Sequence, residues 1–211
     1  QAPSTAVAAG ARAAGVRKED VDLQIAQLGG GFGRRLDSDM VAQAAAIARE
    51  LGGAPVQLLW TREQDMRHDF YRPAAVARLQ AQLDAQGQVV ALRSDSASGA
   101  PVQQLIQRAF GLPPAGPDKT TAEGLFDHPY DIPHQRIAHT KVDSPLPLGS
   151  WRSVGHSHNA FFKESFIDEL AAAAKADPVE FRRRMLAHKP RHRAVLDAAV
   201  RLAGDAAPGH A

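Results

Sequence analysis

Apolar residues recur with a period of two, or in short unbroken runs, along four stretches of the chain. The longest stretch is residues 74–98, where the alternation stops at Asp84–Gly87 and then resumes, and this pattern predicts a β-hairpin. The alternation over Val21–Leu28, the run Pro55–Trp60 and the segment Arg136–Asp143 predict three further strands.

Other stretches carry apolar residues at helical spacing between a capping residue and a stop signal. Helices are predicted in this way over Thr5–Ala14, Met40–Leu51, Asn159–Ala174, Pro178–Leu186 and Arg193–Ala203. Ser4 is the expected N-cap of the first helix and Gly15 its stop, Ser38 or Asp39 caps the second, and Asp177 caps the fourth.

Three segments are less regular. "TREQD", Thr61–Asp65, has the Thr-then-acid form of a helix start. Gly99–His134 is rich in Pro and Gly, which predicts a long loop with one helical turn at Gln103–Phe110. Residues 144–157, "SPLPLGSWRSVGHS", predict a second irregular loop.

Composition narrows the class of protein. The chain has 211 residues, of which 44% are hydrophobic and 23% charged, so one core or two small cores can form. A formal net charge of +2 argues against nucleic acid as a partner. Without cysteine the chain holds no disulfide, thiolate zinc site or iron–sulfur cluster, and no apolar run approaches the roughly 20 residues of a membrane helix. Because the chain starts at Gln1 and its tail closes no pattern, we expect it to be part of a larger protein.

Residues 28–39, "LGGGFGRRLDSD", place four glycines around Phe32, between a predicted strand and a predicted helix. The dinucleotide pattern G-x-G-x-x-G does not fit, because Arg34 or Leu36 stands where the third glycine belongs. One interpretation is a tight turn whose glycines supply positive φ. The other is a ligand cradle, in which backbone N–H groups face a ligand and Arg34 and Arg35 add charge for a phosphate or oxo group.

Gly149–His156, "GSWRSVGH", is a second glycine-containing loop that leads into a predicted helix. Two such loops can form the walls of one site. The structural alternative is that Trp151 anchors a core and Arg152 holds backbone carbonyls.

Histidine and arginine clusters predict no separate site. His156 and His158 form an H-x-H pair, but without Cys or an HExxH helix these residues are expected at the surface or in caps. Arg182–Arg184 are expected to form a solvated helix face, with Phe181 and Met185 packing inward.

Several motifs occur in a fixed order, namely "GGGFGRR", "PVQLLWTREQDMRHDFYRP", "LDAQGQVVAL", "SWRSVGHSHNAFFKESFIDELA" and "DPVEFRRRML". Together they resemble the molybdenum-binding large subunit of the xanthine dehydrogenase and aldehyde oxidase family, in particular the isoquinoline 1-oxidoreductase β-subunit type. The resemblance implies an α+β (mixed α/β) fold, the molybdopterin-binding domain of molybdenum hydroxylases, with a β-hairpin and flanking helices. It also implies that residues 1–190 are part of a first cofactor-binding domain and that residues 191–211 begin a second.

The resemblance implies a molybdenum ion carried by a pyranopterin dithiolene, in bacterial members often as molybdopterin cytosine dinucleotide. Seven residues of this chain stand at positions that the resemblance assigns to cofactor binding, namely Gly30, Gly31, Phe32, Gly33, Arg34, Arg152 and Ser153. Ser153 and His156 replace small apolar or glycine residues of the family. Phe32 and Gly33 are expected near the oxo ligand, with a backbone N–H donating to it. Arg34 departs from the glycine common in xanthine dehydrogenases, and its own partner is open.

The implied reaction is hydroxylation of an aldehyde or N-heterocycle with oxygen from water. Electrons are expected to leave through iron–sulfur clusters in a small partner subunit, with a cytochrome c as a further candidate acceptor. The family's glutamate base lies in a Gly-Glu segment that this sequence lacks, so no catalytic residue and no protein ligand to the metal is predicted here. The alternative function is a non-catalytic nucleotide or anion-binding module that uses the glycine loop.

Overall fold

The computed structural model describes residues 1–204, and in this part of the chain it has seven α-helices and three strands. The helices are α1 (Pro3–Ala14), α2 (Asp39–Glu50), α3 (Arg62–His68), α4 (Pro101–Phe110), α5 (His156–Ala173), α6 (Pro178–Met185) and α7 (Pro190–Ala203). The strands β1 (Ala75–Leu83), β2 (Val89–Ser98) and β3 (His134–Lys141) form one sheet in the order β1-β2-β3. Mixed helix and sheet agree with the α+β class.

The chain divides into two compact units that interleave along the sequence. Unit 1 contains residues 1–74, 98–121 and 141–154, and unit 2 contains residues 75–97, 122–140 and those from 155 onward. The boundary near residue 190 stays a prediction, and the end of the second predicted domain, residues 205–211, lies outside the described residues.

Unit 2 has the larger apolar core. The β1–β2 hairpin is confirmed, and its turn is closed by hydrogen bonds between Asp84 and Gln88 and between Gly87 and Asp84. The buried core side chains come from β2, α5, α6 with its C-cap residue, and the segment before β3, namely Val89, Leu92, Tyr130, Ile132, Ile167, Leu170, Ala171, Phe181, Met185 and Leu186. Phe181 and Met185 therefore pack inward as predicted.

The prediction of a solvated arginine face on α6 is wrong for two of its three arginines. Arg182 is only 13% exposed and contacts Glu164 and Asp168 on α5. Arg183 bonds to Glu180 and to Asp197 of α7. These arginines join helices because a guanidinium presents several donors at fixed angles to neighbouring carboxylates.

Unit 1 contains the helices α1 to α4 and long loops, and the three strands lie almost entirely in unit 2. Its helices α1 and α2 pack against each other. The helix start predicted at Thr61 is confirmed. It is a capping box in which Thr61 and Gln64 each bind the other's backbone N–H, so the partner of Thr61 is a glutamine and not an acidic residue. The predicted single helical turn before residue 111 is in fact the ten-residue helix α4.

The strands predicted over Val21–Leu28 and Pro55–Trp60 are wrong, since neither segment has strand structure. An alternation of apolar and polar residues indicates which side chains can be buried on one face. A strand also needs a neighbouring strand with which it exchanges backbone hydrogen bonds. The described residues provide no ladder partner for either segment.

Smaller differences concern element ends. α1 begins at Pro3 with Ala2 as its N-cap instead of Ser4, because proline is pre-organised for the first helical position. α5 begins three residues earlier than predicted, at His156. None of the helices in residues 1–204 combines the length and apolar composition needed to cross a bilayer.

We expect Asp177→Ala to lower the free energy of unfolding by about 1 kcal/mol. The Asp177 carboxylate accepts hydrogen bonds from the N–H groups of Val179 and Glu180, both at 2.9 Å, and so caps α6. Asp177→Asn keeps an acceptor oxygen and is the matched control, with a smaller loss. Urea unfolding followed by circular dichroism measures both variants, and equal losses would contradict the capping role.

Candidate functional site

The glycine loop has a backbone that side chains would disturb. Gly30 and Gly33 have φ values of 142° and 85°, and Phe32 itself has a φ of 50°. Left-handed conformations favour glycine and strain most other residues. The Phe32 ring lies over Gly30, where it fills the space of a Cβ atom, and Phe32 remains 56% exposed.

The two predicted loops meet within unit 1, backbone against backbone. A Cβ atom on Gly33 would overlap the carbonyl group of Ser150 and crowd the backbone nitrogen of Trp151. Ser150 is buried, at 7% exposure, directly before Trp151 and Arg152. The absence of a side chain at Gly33 is therefore a condition for this contact.

The Gly33 N–H points at an acceptor from a distant part of the sequence. It donates to the side-chain oxygen Oε1 of Gln1 at 3.0 Å. The same Gln1 side chain fills the space of a Cβ atom on Gly31. Gln1 is a site neighbour that the sequence reasoning missed, because no local pattern connects residue 1 with residue 33.

The second loop is also unusual in its backbone. Ser153 and Val154 have φ values of 75° and 44°, which is rare for a β-branched residue such as valine. The turn is closed by a hydrogen bond from the Val154 N–H to the Trp151 carbonyl at 3.0 Å. The Arg152 carbonyl accepts from the Arg72 side chain at 2.9 Å, so part of this loop is held from the segment after α3.

That segment, Asp69–Arg72, connects the two loops. The Trp151 indole N–H donates to the Phe70 carbonyl at 3.0 Å, and a Cβ atom on Gly149 would overlap the Phe70 side chain. Tyr71 forms a bridge with Leu148, with its N–H bonded to the Pro147 carbonyl at 2.8 Å. The half-buried Trp151 thus anchors the second loop to this segment through its indole N–H, whereas the structural interpretation expected it to anchor a core.

The Arg34 side chain contacts two carboxylates, those of Asp39 and Asp69. Its Nη atoms donate to both oxygens of Asp39, at 2.9 and 2.8 Å, and its Nε atom contacts the carboxylate of Asp69. The guanidinium also lies over the Phe70 ring, 5.1 Å from the ring centroid. Burial opposes ionisation of Asp39, but the hydrogen bonds and positive charge of Arg34 outweigh it and hold the pKa of Asp39 below its usual value.

The structure therefore brings the predicted site residues into two touching loops. Gly30, Gly31, Phe32 and Gly33 form the first, and Arg152 and Ser153 follow directly on the Ser150–Trp151 contact in the second. The partners of Arg34 are now identified. Asp69 and Phe70 were missed as site neighbours, although they lie in the motif "PVQLLWTREQDMRHDFYRP", which contributed to the family resemblance.

Three of the histidines make local contacts within unit 2. His128 accepts a hydrogen bond from the Tyr130 N–H at 3.2 Å, and His156 lies 3.3 Å from the Asp127 carboxylate. His139 is hydrogen-bonded to Ser96 at 2.9 Å. Among residues 1–204, no group of three or more His, Cys, Asp or Glu side chains is arranged to hold a metal ion.

Comparison with known proteins gives consistent matches. The family model for the molybdopterin cofactor-binding domain matches residues 1–186. The membrane-bound aldehyde dehydrogenase (pyrroloquinoline-quinone) of Gluconacetobacter polyoxogenes is 32% identical over 183 residues, which is 84% of this chain and 24% of the relative. The isoquinoline 1-oxidoreductase subunit beta of Brevundimonas diminuta is 30% identical, over 86% of this chain and 23% of the relative. The chain thus spans about a quarter of the length of these relatives.

The fold also matches solved structures. Quinoline 2-oxidoreductase from Pseudomonas putida 86 superposes with a TM-score of 0.68 at 20% identity, over 87% of this chain and 23% of that chain. Since the family model covers most of the sequence, the chain belongs to the molybdopterin cofactor-binding domain family.

Proposed function

We propose that the two touching loops of unit 1 bind the molybdenum cofactor, with contacts from Gly30, Gly31, Phe32, Gly33, Arg152 and Ser153. The observation that carries the proposal is the N–H group of Gly33, a residue that lies where the loops meet. It donates to the Gln1 side-chain oxygen at 3.0 Å, and an oxygen ligand of the cofactor would take the place of that acceptor. The Gln1 side chain also occupies the space beside Gly31, where no side chain intervenes, so a cofactor oxygen that replaced it would lie directly against this backbone.

The residues present fit such a group. The loops offer backbone N–H donors and an exposed aromatic ring, and the chain has no cysteine that would compete as a metal ligand. A pterin dithiolene brings its own sulfur ligands, so a protein site of this kind needs to orient and shield the group. When bound, the cofactor would supply the two-electron redox chemistry, while Gly33 would orient an oxygen ligand and Phe32 would exclude water from one side.

For the intact protein we propose the hydroxylation of an aldehyde or an N-heterocycle with oxygen from water. The names of the relatives support this class, since they include an aldehyde dehydrogenase and an isoquinoline oxidoreductase. Further parts of the proposal are the cytosine dinucleotide form of the cofactor, a small iron–sulfur partner subunit, and a cytochrome c as a candidate acceptor. The catalytic base would come from outside these 211 residues.

The alternative of a phosphate-binding module has less support. It relied on the charge of Arg34 and Arg35, but the Arg34 guanidinium is bonded to one carboxylate and in contact with a second. An anion at this point would have to compete with Asp39 and Asp69 for the same donors.

We expect the purified intact protein to contain about one molybdenum atom and one pterin nucleotide per chain. Metal content is measured by inductively coupled plasma mass spectrometry, and the pterin by fluorescence after oxidative release. The released nucleotide identifies the cytosine form.

Pyrroloquinoline quinone, the cofactor in the name of one relative, is measured in the same sample. An active protein that holds pyrroloquinoline quinone and no molybdenum would overturn the proposed function.

We expect Gly33→Ala to lower the molybdenum content by a factor of at least about 5 to 30. A left-handed alanine costs about 1–2 kcal/mol, which corresponds to that factor, and overlap of the new Cβ with the Ser150 carbonyl adds to it.

Gly29→Ala is the matched control in the same loop, because a Cβ there meets nothing within 4 Å. It should keep the content of the unmodified protein. Equal molybdenum content in Gly33→Ala and Gly29→Ala would refute the role of the Gly33 contact.

A further inference from the structure

The Arg34 side chain connects three segments of unit 1 that are far apart in sequence. It starts in the glycine loop, bonds to Asp39 at the first turn of α2, and contacts Asp69 directly after α3. The Arg34 and Asp69 side chains are each only 13% exposed, so the contact is shielded from solvent. A two-pronged guanidinium–carboxylate bond with Asp39 fixes direction as well as distance.

The connection continues to the second loop through Phe70. The Arg34 guanidinium lies over the Phe70 ring, while the Phe70 side chain contacts Gly149 and its carbonyl accepts from Trp151. Arg34 follows Gly33 directly, and Gly33 rests on Ser150. The contacts therefore lead from the glycine loop, through Arg34 and Phe70, to the second loop, which the glycine loop also touches directly at Gly33.

Two carboxylates surround one guanidinium, which makes this group a poor receptor for a further anion. Without Arg34, Asp39 and Asp69 would be left as partly buried negative charges with no cation between them. The positive charge of Arg34 thus balances the negative charges of Asp39 and Asp69, and its N–H donors point to these carboxylates.

We propose that Arg34 is a positioning residue, which holds the Gly33 backbone against the second loop through Asp39, Asp69 and Phe70 and so fixes the direction of the Gly33 N–H, and which does not itself bind the cofactor's phosphate groups. The proposal rests on the proposed function, because the group that Gly33 would face is the molybdenum cofactor. Positioning partners of this kind typically change metal affinity by a factor of about 10 to 100.

The test compares variants of the intact protein by molybdenum content, by the electron paramagnetic resonance spectrum of the Mo(V) state, and by thermal unfolding. Arg34→Met and Asp69→Asn should each lower the molybdenum content by a factor of about ten. Arg35→Met is the matched control, because Arg35 is the exposed neighbour in the same loop, and it should keep the content of the unmodified protein.

Arg34→Lys tests geometry against charge. Lysine keeps the charge but cannot form the two-pronged bond with Asp39, so we expect retained molybdenum with an altered Mo(V) spectrum. A change in the spectrum at unchanged thermal stability separates positioning of the cofactor from general support of the fold. If Arg34→Met does not fold, Asp69→Asn and Arg34→Lys decide the question.

The competing interpretation is that Arg34 binds a cofactor phosphate by its charge. In that case Asp39→Asn and Asp69→Asn would free the guanidinium and leave the molybdenum content unchanged or higher, which would overturn the proposal. Arg34→Met with the content and spectrum of Arg35→Met would also overturn it. A protein without molybdenum in its unmodified form would instead refute the proposed function, and this inference with it.

Discussion

The contact of Gly33 with the backbone of Ser150 is the constraint on which the site depends. It leaves no space for a side chain and needs a left-handed backbone at Gly33. Both conditions are met by glycine without strain. As a result, the N–H group of a loop residue stands at the line where two loops touch, with a fixed direction toward an acceptor. Moving either loop by the width of a methyl group would change that direction.

A single short segment after α3 supports both sides of this contact. Its members Asp69 and Phe70 contact the Arg34 side chain, while Phe70 and Tyr71 hold the second loop through backbone hydrogen bonds. The Phe70 ring also lies 4.1 Å from the guanidinium of Arg108, which bonds to the buried Asp37. Irregular loops can hold a defined geometry when their backbone groups are satisfied by such a common neighbour.

Elements that depend on nearby residues were predictable from the sequence. The hairpin around Asp84–Gly87, the capping box at Thr61 and the cap at Asp177 are local patterns, and the structure contains them. The strands expected at Val21–Leu28 and Pro55–Trp60 failed because pairing depends on a distant partner. The glycine loop itself was recognisable as a candidate site. The partners of Arg34 were not, since Asp69 lies 35 residues away and no periodicity relates the two positions.

The arrangement of charge explains why an arginine can stand beside a backbone site without turning it into an anion receptor. Arg34 is neutralised by Asp39 and contacts Asp69, and these carboxylates depend on the guanidinium in return. The Gly33 N–H, in contrast, is an uncharged donor, and the strength of its hydrogen bond depends on direction. In the proposed site, recognition of the cofactor would therefore depend on the geometry of the loops. The residues that fix that geometry matter as much as those that face the ligand, even where their side chains point away from it.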